Sequence, residues 1–159
     1  MNMKAQIQTE LNRLAAQSGG GTQLLGLDTG AGRLDAELLA IDQLACSFNR
    51  FAYQADSLAN ASMDELKAIA SALSNQLSYL LESISPIEID SDACVVQMRS
   101  NPPTQDDDGT KYYELVVCRS EISLCRFAKT PGQPRQVVPA SVTREVFERL
   151  AEDFVAAAP

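Results

Sequence analysis

The sequence predicts an α+β protein: N-terminal helices (an arm, then a helical hairpin), an antiparallel β-meander of about four to five strands, and a C-terminal helix. Three observations predict it. Apolar residues recur at about every 3.6 positions up to Leu81 and at every second position after Pro86. The strands after Pro86 are joined by connections too short for the crossovers that parallel strands require, so they pair antiparallel. Helical spacing then returns over 141–155, and helices, strands, helix is an α+β order.

Residues 3–17 place Met3, Ile7, Leu11 and Leu14 on one helical stripe. Ser18-Gly19-Gly20-Gly21-Thr22 breaks it, because consecutive glycines cost too much backbone entropy to continue a helix. The chain therefore divides into a helical arm at 1–18, a Gly-rich linker with turns at 19–32, and a single α+β domain at 33–159. The arm packs on its own domain, on a second copy, or on nothing.

Residues 34–53 read two ways. As a helix, Leu34, Leu38, Ile41, Leu44, Phe48 and Phe51 fall on one face. As strands, Leu44, Cys46 and Phe48 alternate with Ala45 and Ser47. The helical stripe accounts for more positions, so a helix is expected. Ser62-Met63-Asp64-Glu65 is a capping box that opens the next helix. Leu66, Ile69, Ala70, Leu73, Leu77, Leu80 and Leu81 form its core stripe, and Ser85-Pro86 stops it.

Ile87 and Ile89 alternate, then Cys94, Val96 and Met98, with a turn at Asp90-Ser91-Asp92. Residues 100–109 form a polar loop. Strands follow near 111–119, 121–128 and 136–139. A turn at Ser120-Glu121 pairs Val116 with Cys125 and Glu114 with Phe127. Val116, Cys118, Cys125 and Phe127 then share one face, and Tyr113, Leu115, Val117, Ile122 and Leu124 the other. Apolar residues on both faces imply that something covers the second one. Val142, Val146, Phe147, Leu150 and Phe154 give the last helix its stripe.

Composition narrows the chemistry. Thirteen basic residues against 21 acidic leave a net charge of −8, and there is no His. A Ser-His-Asp or Cys-His site cannot be built in this chain. The acidity argues against a phosphate backbone as partner, so no nucleic acid is expected. No apolar run reaches a membrane span and the N-terminus reads as no signal peptide, so no membrane is expected and the location is cytoplasmic. Cys46, Cys94, Cys118 and Cys125 then read as reduced thiols without a CxxC pair. Asp106-Asp107-Asp108-Gly109 lacks the Glu at the twelfth position that a calcium loop needs, since Val117 stands there. Gly30-Ala31-Gly32 does not complete a dinucleotide-binding fingerprint. No cofactor, metal or catalytic residue is assigned.

The candidate site residues are Arg99, Arg119, Arg126, Tyr113 and Glu114, on or beside the strands. Arg favours bidentate pairing with carboxylate or phosphate, so these residues either bind an anion or pair with Glu88, Glu114 or Glu121. The residues together predict a non-catalytic protein-interaction module of the adaptor or chaperone kind. It associates as a homodimer, with another protein as further partner. The alternative is a small-molecule, anion-binding domain or a carboxylate-based enzyme. In size, acidity and final helix the chain resembles secretion chaperones that bind unfolded effectors. Its predicted run of consecutive strands before the last helix departs from that family's interleaved order, and no family is assigned.

Overall fold

The structure is a computed structural model that describes residues 2–17 and 21–159; most of the Gly-rich break, residues 18–20, lies outside the described residues. The first helix, α1 (Met3–Ala15), is capped by Asn2, whose side chain accepts from the Ala5 amide at 2.8 Å. Of the three placements open to the arm, it takes its own domain: Ile7 and Leu11 are fully buried in the common core and Leu14 nearly so.

Three strands follow, β1 (Gln23–Asp28), β2 (Gly32–Ile41) and β3 (Ala45–Ala55). Two expectations are corrected here. The segment 19–32, read as linker and turns, contains β1. The segment 34–53, read as a helix, is β2 and β3, so there is no N-terminal helical hairpin. The reason is specific. Leu34, Ala36 and Leu38 alternate inward as a strand demands, but β2 pairs β3 with two irregularities: Glu37 faces Arg50, Leu38 faces Phe48, and Ala40 faces Ser47. Asn49 and Leu39 are therefore the extra residues of bulges. Each bulge turns a spacing of two into three, from Phe48 to Phe51 and from Leu38 to Ile41, which imitates a helical period. At the hairpin, Gly32 lies so close to β3 that a Cβ would stand 2.2 Å from the Gln54 carbonyl oxygen, so no larger residue fits there.

The helix α2 (Met63–Gln76) begins as expected. Ser62 accepts from the Glu65 amide at 3.1 Å and Glu65 accepts from the Ser62 amide at 3.2 Å. It tightens into a 3-10 turn at Leu77–Leu80 and ends on Leu81, at φ 65°. That left-handed residue turns the chain, so Leu81 is 90% exposed instead of completing the core stripe.

The remaining strands are β4 (Ile84–Asp90), β5 (Val95–Ser100), β6 (Thr104–Asp106), β7 (Gly109–Cys118), β8 (Ile122–Lys129), β9 (Gln136–Val138) and β10 (Ala140–Thr143); α3 (Arg144–Ala157) closes the chain. The α+β class, the antiparallel sheet and the C-terminal helix stand. The strand number is higher than expected, with ten among the described residues, and α2 lies mid-chain. The main path is β1-β2-β3-β8-β7-β5-β4. β8 pairs β3 only over Ile122–Leu124 and then diverges from it. The segment on either side of Pro139 fills the wedge, β9 against β8 and β10 against β3. The expected last helix therefore starts at Arg144, after β10.

The β7–β8 hairpin closes on Cys118 and Glu121, the Cys118 amide donating to the Glu121 carbonyl at 3.1 Å. Val116 pairs Ser123 and Glu114 pairs Cys125, two positions away from the expected register. A slip of two preserves the faces, so both expected face groupings stand.

One sheet face carries Leu25, Leu34, Leu38, Phe48, Phe51, Tyr53, Met98, Leu115, Val117 and Leu124 into a single core with residues of all three helices. α3 sits centrally, in contact with α1, α2, β3 and β10. Phe147 meets Phe51 edge-on with centroids 5.2 Å apart, and Phe154 does so at 5.1 Å. The opposite sheet face receives none of the described helices. None of these helices is long and apolar enough to cross a membrane.

Candidate functional site

The five candidate residues separate into three places. Alternation puts Arg99 and Glu114 side by side on the uncovered sheet face, because β5 and β7 pair them directly. Arg99 Nη2 donates to Glu114 Oε2 at 3.3 Å. Tyr113 and Arg126 point the other way, toward the helix side. There the Arg126 guanidinium lies 4.5 Å from the Tyr113 ring centroid and pairs Glu82 at 2.8 Å. Glu82 also accepts from Ser100 Oγ at 2.9 Å, and Ser100 Oγ accepts from the Tyr113 amide at 2.8 Å. These groups satisfy one another and anchor the segment after the 3-10 turn, at Glu82, to the sheet. Arg119 is alone on the β7–β8 turn, where its Nε donates to the Ala61 carbonyl at 2.9 Å.

Arg135 completes the Arg99–Glu114 pair. It leaves the loop before β9, donates to Glu114 Oε2 at 2.5 Å, and stacks over Phe127 at 3.9 Å from the ring centroid. It covers the Phe127 end of the hairpin's second face. Arg99 stacks in the same manner over Tyr112, at 4.5 Å. Burial alone raises the Glu114 carboxyl, but the hydrogen bond and charge of Arg135, with Gln97 and Arg99, outweigh it and hold the group below its ordinary value. Glu114 in turn, with Tyr112, raises the Arg135 guanidinium.

Beside this cluster opens a cleft of about 650 Å3, bounded by the β4 start, the loop after β5 and the first residues of β7. Arg99, Lys129 and Arg135 line it together with Pro86, Ile87, Pro103 and Tyr112; no carboxylate does. Lys129 Nζ donates to the Gln133 carbonyl, which ties down the loop that delivers Arg135. Arg99 Nε is buried and has no hydrogen-bond partner. Sequence reasoning missed Lys129 and Arg135. The one available signal was that residues 99–149 carry eight of the 13 basic residues.

The two sheet edges differ. β4 holds Pro86, an irregularity at Ile87, and the charges Glu88 and Asp90. β1 has no Pro and no charge from Gln23 to Leu27, and its Leu24 is 69% exposed. A hollow of about 170 Å3 lies beside β1 on the uncovered face, lined by Leu24, Gly26, Arg33, Glu37 and Arg50.

The Asp106–Asp108 run turns inward on itself: Asp106 accepts from the Asp108 amide at 2.9 Å and pairs Lys111 at 3.4 Å. No family model matches this chain, and no curated protein and no solved structure matches it.

Proposed function

We propose that the chain is a non-catalytic, self-associating interaction module of the adaptor or chaperone kind, whose two-fold dimer forms by pairing β1 with β1 of a second copy. The contrast between the sheet edges carries this reading. Proline, bulges and charge are the devices that keep a strand edge from pairing, and β4 has all three while β1 has none before Asp28. An edge left unguarded in a chain that guards its other edge is explained by a strand that pairs there.

Antiparallel self-pairing is a two-fold operation, so one surface serves both copies. Centred on Leu25, it sets Leu24 of each copy opposite Gly26 of the other. The exposed Arg33 side chain lies over Gly26, so the facing leucine packs against its stem and into the adjoining hollow. Asp28 falls opposite Thr22, so no two carboxylates face each other, and the helices of both copies stay on one side of the joined sheet. The chaperone-like element has separate support. Helix, three strands, helix, strands, helix is an interleaved order, although seven strands stand between α2 and α3. The cleft at Arg99 favours the second reading, binding of a small anion.

Light scattering during gel filtration tests the dimer. The expected mass is twice 17.2 kDa for the protein and a single 17.2 kDa for Leu24→Lys, whose side chain is exposed and leaves the fold intact. A monomeric parent, or a dimer indifferent to Leu24→Lys, contradicts it.

A further inference from the structure

We propose that the cleft beside β5 and β7 binds a small organic anion, a carboxylate or phosphate carried on a flat apolar body. Three cations, Arg99, Lys129 and Arg135, converge on it in a protein whose net charge is −8. Glu114 meets two of them from beneath the cleft, which leaves the lining positive. A cleft with one sign of charge concentrates ions of the other sign. The Arg99 guanidinium is also short of an acceptor, because its Nε pairs with nothing. Buried donors are ordinarily satisfied, and an unsatisfied one points to a missing acceptor.

The rest of the lining sets the ligand's body. At about 650 Å3 the cleft has the size of a site for a whole organic molecule. Pro86, Ile87, Pro103 and Tyr112 supply the apolar walls. The Arg99 guanidinium lies over Tyr112 and that of Arg135 over Phe127, and both pair with Glu114, Arg135 through Nη1 and Nη2 together, so both charges are held in place before a ligand arrives. Fixed cations at the edge of an apolar cleft suit the oxygens of a carboxylate or phosphate, the anions that guanidinium and ammonium groups bind best. This site stands apart from the dimer edge, so it does not depend on self-association.

Calorimetric titration with phenyl phosphate, benzoate, benzyl alcohol and inorganic phosphate tests it. Phenyl phosphate or benzoate binds, benzyl alcohol does not, and inorganic phosphate binds more weakly than phenyl phosphate. Binding of phenyl phosphate alone assigns the site to phosphates; binding of both shows that a carboxylate suffices; either result supports the site. Arg135→Gln and Lys129→Gln each weaken binding about tenfold, the size of one lost charge-assisted contact. Lys129→Gln leaves the Glu114 pairs but loosens the loop that carries Arg135, so its urea midpoint is measured beside its binding, and an unchanged midpoint separates ligand contact from folding. No binding of either aryl anion at millimolar concentration, or equal binding by Lys129→Gln, overturns the proposal.

Discussion

Glu114→Gln isolates what the buried carboxylate contributes. The substitution keeps the shape and removes the charge that Arg99 and Arg135 share. The carboxylate side chain is only 7% exposed, whereas the two arginine side chains are 37% and 39% exposed. Water therefore screens each pair, and each is worth about 1 kcal/mol at most. The expected loss for the two together is at most about 2 kcal/mol at pH 7. With a urea slope of about 2 kcal/mol per molar, the unfolding midpoint falls by up to about 1 M. The pH dependence fixes the cause. Glu114 has a folded pKa below its ordinary value of 4.5. Its contribution is thus fully present above the unfolded value and is lost as the pH falls through the folded one. The gap between the two proteins, measured by urea unfolding followed by circular dichroism, is full at pH 7 and narrows as the pH falls below 4.5. A gap that stays constant from pH 7 to pH 3, or a variant more stable than its parent, refutes the reasoning.

Two further predictions concern the core. Phe147→Ala removes the ring between Phe48 and Phe51, and the expected loss is about 3–5 kcal/mol by urea unfolding. A loss below about 1 kcal/mol would mean that α3 does not seal the core as described. Burial pushes the Cys46 thiol up to about 12, so iodoacetamide at pH 8 leaves it unmodified until the protein unfolds. Peptide mass mapping reads this, and rapid alkylation in the folded protein contradicts the packing of Cys46.

Local chemistry was legible where it acted alone. The capping box at Ser62, the core stripe from Leu66 to Leu80 and the inward residues of α3 all follow from rules that span a few neighbours. The faces of the β7–β8 hairpin were legible too, because alternation survives a register slip of two. What failed depended on distant strands. The bulges at Leu39 and Asn49 exist only in the pairing of β2 with β3, and they disguised two strands as a helix. The candidate residues separated into three places for the same reason. Arg99 and Glu114 are 15 residues apart and meet through β5–β7 pairing, but Arg135 reaches Glu114 only because β9 fills a wedge that β8 leaves. Tyr113 and Arg126 went to the helix side by alternation, whereas Arg119 was held at a turn by a carbonyl near α2.

Hydrogen exchange at the β1 amides tests self-association most directly, since it reads the edge itself. Among the described residues β1 has no partner on its outer side, so in a monomer its outward amides exchange with water freely. Pairing with a second copy gives those amides acceptors. The account predicts that outward amides within Gln23–Leu27 are protected at high protein concentration, and that dilution or Leu24→Lys removes the protection. Fast exchange of these amides at every concentration, with β2 and β3 still protected, would contradict it.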